Sequence, residues 1–255
     1  MEIKVIGAGG RLLECAARLG ECSAAGQYRR AVILPIPSSR DKKYITGTDI
    51  PLSSLSEHIC EGDLVVGYGI TDSVCAEIAR CGAHIYDLSL DEEFLSENAI
   101  LTAKGALGVI LTDYPCEPAD MKIGIIGYGR IGSALLSLLL FVGASPKIYT
   151  TRASVCLSLC ESGVDAELVS EGTDFSELDL IVNTAPAKTV SDESLLLLPE
   201  EVKILDLASG KIFPDLPKVR KLASIPETMY PKTGGKIMAK YIKDKLRPRA
   251  GEVLL

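Results

Sequence analysis

Short apolar runs alternate along the chain with segments of helical periodicity. EIKVI (2–6) reads as a strand; a glycine-rich turn follows it, then an amphipathic helix over about 11–20. Further strands are expected at 31–35, 63–67 and 83–87, with helices near 52–61 and 71–81. Alternation of this kind favours parallel sheets covered by helices on both faces. A longer helical stretch over about 96–111 stops at Thr112-Asp113-Tyr114-Pro115. The segment Tyr114–Asp120 holds two prolines and two acids and reads as a linker.

Beyond it the pattern sharpens. KIGII (122–126) is a strand, GYGRIG (127–132) a turn and SALLSLLLFVGA (133–144) a buried helix. KIYTT (147–151) gives the next strand, followed by a helix over about 153–162 and a short strand near 166–169. LDLIVNTA (178–185) and VKILDLA (202–208) supply two more strands, and a helical pattern runs from about Thr233 to Leu246. The expected fold is α/β, with two Rossmann-like, doubly wound parallel-sheet domains and an interdomain cleft. Residues 1–113 would form a flavodoxin- or Rossmann-like substrate domain, rejoined by the last helix (232–247). Residues 120–230 would form the dinucleotide-binding domain.

Composition narrows the function classes. The apolar fraction of 47% is enough for a buried core and excludes a disordered chain. Lys and Arg number 27 against 34 Asp and Glu, a net charge of −7 with no long basic run. Neither nucleic acid nor a membrane surface is therefore an expected partner. The stretch Ile131–Ala144 is too short to span a bilayer, and the first residues lack the apolar core of a signal peptide. A cytoplasmic location is the expectation. Eight cysteines occur without any C-x-x-C; the closest pair, Cys156 and Cys160, lies i,i+4 on a helical segment. With only His58 and His84 besides, no ligand cluster for a metal forms, and the cysteines read as small buried apolar residues.

Candidate chemistry centres on Gly127-x-Gly129-x-x-Gly132. The first glycine permits a tight turn, the second a close backbone approach to a pyrophosphate, and the third close helix–strand packing. The following helix start offers N–H groups and a positive dipole end to phosphate. Tyr128, Arg130 and Ile131 lie within the loop. An NAD-selective site places an acid about twenty residues on. Here the next strand ends in Tyr149-Thr150-Thr151-Arg152-Ala153-Ser154, without one. Arg152 can pair with a 2′-phosphate, and Thr151 and Ser154 can donate to it, so NADP(H) is the expected cofactor.

Ligands in such sheets lie beyond the carboxyl ends of the strands. Asn183, Thr184 and Pro186, with Asp206 and Ala208, fall there and could border the nicotinamide half; Asn183 and Asp206 are equally good turn-capping residues. The N-terminal turn Gly7-Ala8-Gly9-Gly10-Arg11-Leu12 lacks the third glycine. Its Arg11 could bind a carboxylate. Thr102 and Lys104 on the long helix, with Lys232 and Thr233 at the start of the last one, could hold a small dicarboxylate. No Ser-His-Asp or Cys-His set assembles. The acid–base group stays unassigned, with Lys104, Asp206 and Lys232 as candidates.

These residues carry a resemblance. VIGAGGRLLECAARL (5–19), ENAILTAKGAL (97–107), IIGYGRIGSAL (125–135) and VGASPKIYTTR (142–152) occur in that order. IVNTAPAKTV (181–190), ILDLAS (204–209) and PKTGGKIMA (231–239) continue the series. Together they resemble the first of the two subunits of dipicolinate synthase from spore-forming bacteria, over most of the chain. The resemblance implies an NADP(H)-linked oxidoreductase that makes pyridine-2,6-dicarboxylate from a dihydro- or hydroxytetrahydro-dipicolinate precursor. It further implies a flavoprotein-like second subunit and a sporulation context; a homo-oligomer is a separate expectation. This chain departs from the family pattern at Gly9, at Leu101, Thr102 and Lys104, at Gly210–Phe213 and at Ser224–Glu227. Two alternatives stay open: an NADP-binding regulatory protein without catalysis, or a shikimate or alanine dehydrogenase-like enzyme for another small acid.

Overall fold

The computed structural model describes residues 2–20, 28–170, 172–208, 210 and 212–246. The chain divides into two compact units. One holds residues 1–98 and 229–255, the other 99–228, so the division falls inside a helix and before the boundary at 113 expected from the sequence.

In the first unit β1 (Glu2–Val5), β2 (Arg30–Ile33), β3 (Leu64–Gly67) and β4 (His84–Asp87) form a parallel sheet in that order. Ile33, Leu64 and Val66 face α1 (Gly10–Gly20) and form one apolar cluster with Leu12, Cys15 and Leu19. Val32, Leu34 and Val65 point the other way, as alternation along a strand requires, and meet Val74 and Ile78 of α2 (Asp72–Arg80). Leu52 and Leu55 join that second cluster from a 3-10 helix, Leu52–His58. The sequence suggests an α-helix over 52–61; the tighter form suits apolar residues three apart, which eclipse on one edge of a 3-10 turn.

The long helix α3 (Glu92–Asp113) starts earlier than its apolar pattern does, because Asp91 accepts a hydrogen bond from the Phe94 N–H at 2.9 Å and caps it. By length and composition α3 could cross a membrane, but half of its apolar window is buried in the fold.

The second unit is a six-stranded parallel sheet. Its strands are β5 (Ile123–Ile126), β6 (Lys147–Thr150), β7 (Ala166–Leu168), β8 (Leu180–Asn183), β9 (Lys203–Asp206) and β10 (Val219–Lys221), in the order β10-β9-β8-β5-β6-β7. β5 and β8 are buried throughout, as central parallel strands are. The strand order reverses between them, which is the Rossmann topology with its ligand crevice at the reversal. Helices α4 (Arg130–Phe141) and α5 (Ala153–Glu161) follow β5 and β6. The six-residue α6 (Asp192–Leu197), the single-turn α7 (Ile225–Thr228) and edge strand β10 are additions to the pattern expected from the sequence.

The last helix, α8 (Pro231–Leu246), belongs to the first unit and lies against α1. Glycine makes this approach possible: a Cβ on Gly235 would sit 2.6 Å from the Arg11 carbonyl oxygen. Met238, Ala239 and Ile242 then complete the α1-side core.

Candidate functional site

The three glycines of the loop after β5 do different work. Gly127 has φ of +93°, a conformation that costs other residues. A Cβ there would lie 3.0 Å from the Ala185 nitrogen and from Thr184 Oγ1. Gly132, in the first turn of α4, is tighter still, since a Cβ would sit 2.2 Å from the Gly127 carbonyl oxygen. A Cβ on Gly129 would meet nothing within 4 Å. The outer glycines are thus demanded by the protein's own packing. The middle one borders open space at the start of α4, where as N-cap it has no side chain to cap the first N–H groups.

That space continues into a cavity of about 350 Å³ at the carboxyl ends of the strands. Gly127–Gly129, Thr150–Arg152, Thr184–Ala187, Tyr149, Val169 and Thr189 line it. Arg152 sits at the N-cap of α5 and is exposed, with its guanidinium donating to the Tyr128 carbonyl. Its own N–H donates to Thr150 Oγ1 at 3.2 Å. Thr184 Oγ1 lies 3.1 Å from both the Ile126 and Gly127 carbonyl oxygens and fastens the loop after β8 to the glycine turn. Tyr149 packs against Phe175 at 4.8 Å between centroids. Burial pushes its phenol up, so it remains protonated at neutral pH.

With this geometry in view, solved structures supply a comparison. Two dipicolinate synthase structures, both of the first subunit, superpose with a TM-score of 0.77 at 18% identity, over 96% of this chain. They come from Bacillus halodurans, covered to 97%, and Bacillus subtilis, covered to 95%. The chain has the fold of that dipicolinate synthase subunit. A D-lactate dehydrogenase from Salmonella follows at TM-score 0.61 and 14% identity, over 99% of this chain and 98% of its own. No protein-family model and no curated protein matches the sequence.

Within this dipicolinate synthase-type fold the residues expected from the sequence separate into groups. Gly127, Tyr128, Gly129, Thr151, Arg152, Thr184 and Pro186 line the cavity. Arg130 and Ile131 belong to the first turn of α4 rather than to the preceding turn, and Ser154 is exposed in the first turn of α5. Asn183, Asp206 and Ala208 lie behind the cavity wall and are buried. Asn183 Nδ2 donates to Asp206 Oδ1 at 2.8 Å, and the same oxygen accepts from the Ala208 N–H at 3.1 Å. Asn183 Oδ1 accepts from the Ala185 N–H at 3.2 Å. This pair joins the register partners that end β8 and β9 and sets the course of the Thr184–Ala187 loop. Asn183→Ala is therefore expected to cost about 2 kcal/mol by leaving the Asp206 carboxyl short of a buried donor. The check is a urea titration: the midpoint should fall with an unchanged slope, and an unmoved midpoint would refute the pairing's importance.

Arg11 is 4% exposed; its Nη2 donates to Asn98 Oδ1 at 3.0 Å and its guanidinium lies over the Phe94 ring. Thr233 and Lys232 are exposed in the first turn of α8, which packs beside the α1 turn holding Arg11. Thr102 is buried and Lys104 exposed on the part of α3 in the other unit. Ser209 and Lys211 lie outside the described residues, as do residue 247 of the expected last helix and the end beyond it. Tyr149, Thr150, Val169, Ala185, Ala187 and Thr189 join the cavity without a sequence signal that singles them out.

Proposed function

We propose that the chain is a cytoplasmic, NADP(H)-linked oxidoreductase of the dipicolinate synthase type. Its substrate in this reading is a dihydro- or hydroxytetrahydro-dipicolinate precursor, and its setting is sporulation. A flavoprotein-like second subunit and a further copy of the chain are the proposed protein partners. The observation that carries the reading is the glycine cradle. Gly127 and Gly132 are closed by packing, Gly129 faces open space, and Arg152 stands two residues after β6, where an NAD-selective site would hold an acid.

The residues fit a dinucleotide. Backbone N–H groups at the start of α4 meet the diphosphate, and Gly129 lets it approach. Arg152 exchanges the Tyr128 carbonyl for the 2′-phosphate, with the exposed Thr151 and Ser154 hydroxyls beside it. The Thr184–Ala187 loop, held by the Asn183–Asp206 pair, borders the ribose–nicotinamide half. When bound, the nicotinamide supplies hydride transfer, so aromatising a dihydropyridine additionally requires loss of a proton. Arg11 and Thr233, at the starts of neighbouring helices, are the proposed carboxylate contacts in their unit, and Thr102 and Lys104 those in the other.

Arg152→Ala tests the cofactor assignment. Removing a charged hydrogen bond of about 1.5–3 kcal/mol weakens NADPH by roughly tenfold or more and leaves NADH nearly unchanged. Equal losses for both cofactors would reject the 2′-phosphate role. One observation favours the second reading, a cofactor-binding regulatory protein: of the three acid–base candidates Asp206 is buried and committed to Asn183, which leaves only the exposed Lys104 and Lys232. Turnover of the dihydropyridine dicarboxylate, followed through the nicotinamide absorbance with and without the flavoprotein-like partner, separates the two. Tight binding with no turnover in either mixture selects the regulatory protein.

A further inference from the structure

A second cavity, of about 600 Å³, lies wholly within the first unit. Small-ligand sites span roughly 300–1,000 Å³. Residues 42–44 and 51–53 of the segment after β2 form one wall. Helix α2 supplies the other through Ser73, Glu77 and Arg80, whose spacing puts them on one helix face.

The charge of this cavity opposes that of the chain. Lys42, Lys43 and Arg80 border it against a single carboxylate, Glu77, which already accepts a hydrogen bond from Ser56 Oγ at 2.9 Å. Among the described residues, none of the three cations is in an ion pair. In a chain of net charge −7, a concave region with positive charge in excess concentrates anions.

Both walls are built to keep that charge in place. Asp41 Oδ1 accepts from the Lys43 and Tyr44 N–H groups, each at 2.9 Å, and the Leu52 N–H donates to the Lys43 carbonyl at 2.8 Å. The backbone carrying the two lysines is thus tied at both sides. On the facing wall Thr71, the N-cap of α2, makes no capping hydrogen bond; its hydroxyl pairs with Ser73 Oγ at 3.1 Å instead. The first N–H groups of α2, at the positive end of its dipole, are left to an incoming anion. Tyr44 lines the same cavity and is 45% exposed, which leaves its ring open to a planar group.

We propose that this cavity binds a small molecule bearing a phosphate chain. Residues 73 and 80 are about 10 Å apart along the helix axis, so the cationic groups are spread out rather than gathered on one point. An extended ion of two or more charges meets both ends, and a single compact one does not. The site shares no residue with the glycine loop after β5, and the assignment does not depend on the cofactor reading.

The test is calorimetric titration of the full chain, at low salt, with inorganic pyrophosphate and separately with ADP. Both should bind, also in the Gly129→Val chain, where the glycine loop is blocked. Lys42→Gln with Lys43→Gln, and separately Arg80→Gln, should each weaken both probes by about tenfold and leave NADPH affinity unchanged. All three side chains are exposed, so these variants should melt as the parent does. Equal affinity for the two probes assigns the site to a bare phosphate chain. Tighter binding of ADP that Tyr44→Ala reduces assigns it to a nucleotide. Binding of neither probe, or binding that the Gly129→Val chain loses and the lysine and arginine variants keep, would overturn the inference.

Discussion

Gly132→Ala is expected to loosen the whole second unit. A methyl group there lands 2.2 Å from the Gly127 carbonyl oxygen, an atom held by the β5 end and unable to swing aside like the tip of a side chain. Either α4 lifts from the sheet or the turn changes course. Overpacking of this kind costs up to about 3 kcal/mol. For a unit of this size that lowers its melting temperature by roughly 6–12 °C. The chain divides into two compact units, so the expected signature is an early transition of the second unit, with the unit carrying α1 and α8 melting later. Cofactor affinity should fall too, since Gly127 and the α4 start move together. A single unshifted transition in calorimetry would contradict the packing described for the third glycine.

Gly129→Val has the opposite profile, and the contrast between the two is the sharper test. The added side chain meets no protein atom within 4 Å of its Cβ, and φ at Gly129 is −101°, open to any residue. Stability should change by at most about 1 kcal/mol, the cost of a β-branched residue at an N-cap. Binding should not survive. The valine occupies the space through which a diphosphate reaches the α4 N–H groups. Losing two hydrogen bonds to a charged group, at about 1.5–3 kcal/mol each, weakens NADPH and NADH alike by roughly 100-fold or more. A valine variant that melts normally and binds normally would remove the loop from the site.

The β5–turn–α4 unit was legible in the sequence because two independent signals coincide there. A fully apolar four-residue run precedes the turn, and three glycines at fixed spacing occupy it. Only the boundary slipped: α4 begins at Arg130, because Gly129 itself serves as the N-cap. Elements with weak local signals were missed. β10 is three residues long at a sheet edge, and its Val-Arg-Lys sequence shows too little alternation to mark a strand. α6 did leave a trace, since Ser191 accepts a hydrogen bond from the Ser194 N–H at 3.1 Å and two acids open the helix.

The site divides in the same way. Gly127–Gly132 and Arg152 follow from local spacing. The burial of Asn183 and Asp206 depends on β8 and β9 lying side by side in register, a long-range fact that no window of sequence contains. Both residue types suit an exposed turn and a buried amide–carboxylate pair equally, so composition could not choose between them. Val169 and Thr189 reach the cavity from different loops for the same reason. Arg11 reads from the sequence as a helix-start cation. Only the fold reveals that Asn98 and Phe94 of α3 already engage it.

The central claim is that the loop after β5 and Arg152 form one site for a 2′-phosphorylated dinucleotide. Calorimetric titration of the intact chain with NADPH, and separately with NADH, tests it most directly. The account predicts saturable one-to-one binding of NADPH and a markedly weaker response to NADH. Equal affinity for the two would contradict the role of Arg152, and no heat from either would contradict the site itself.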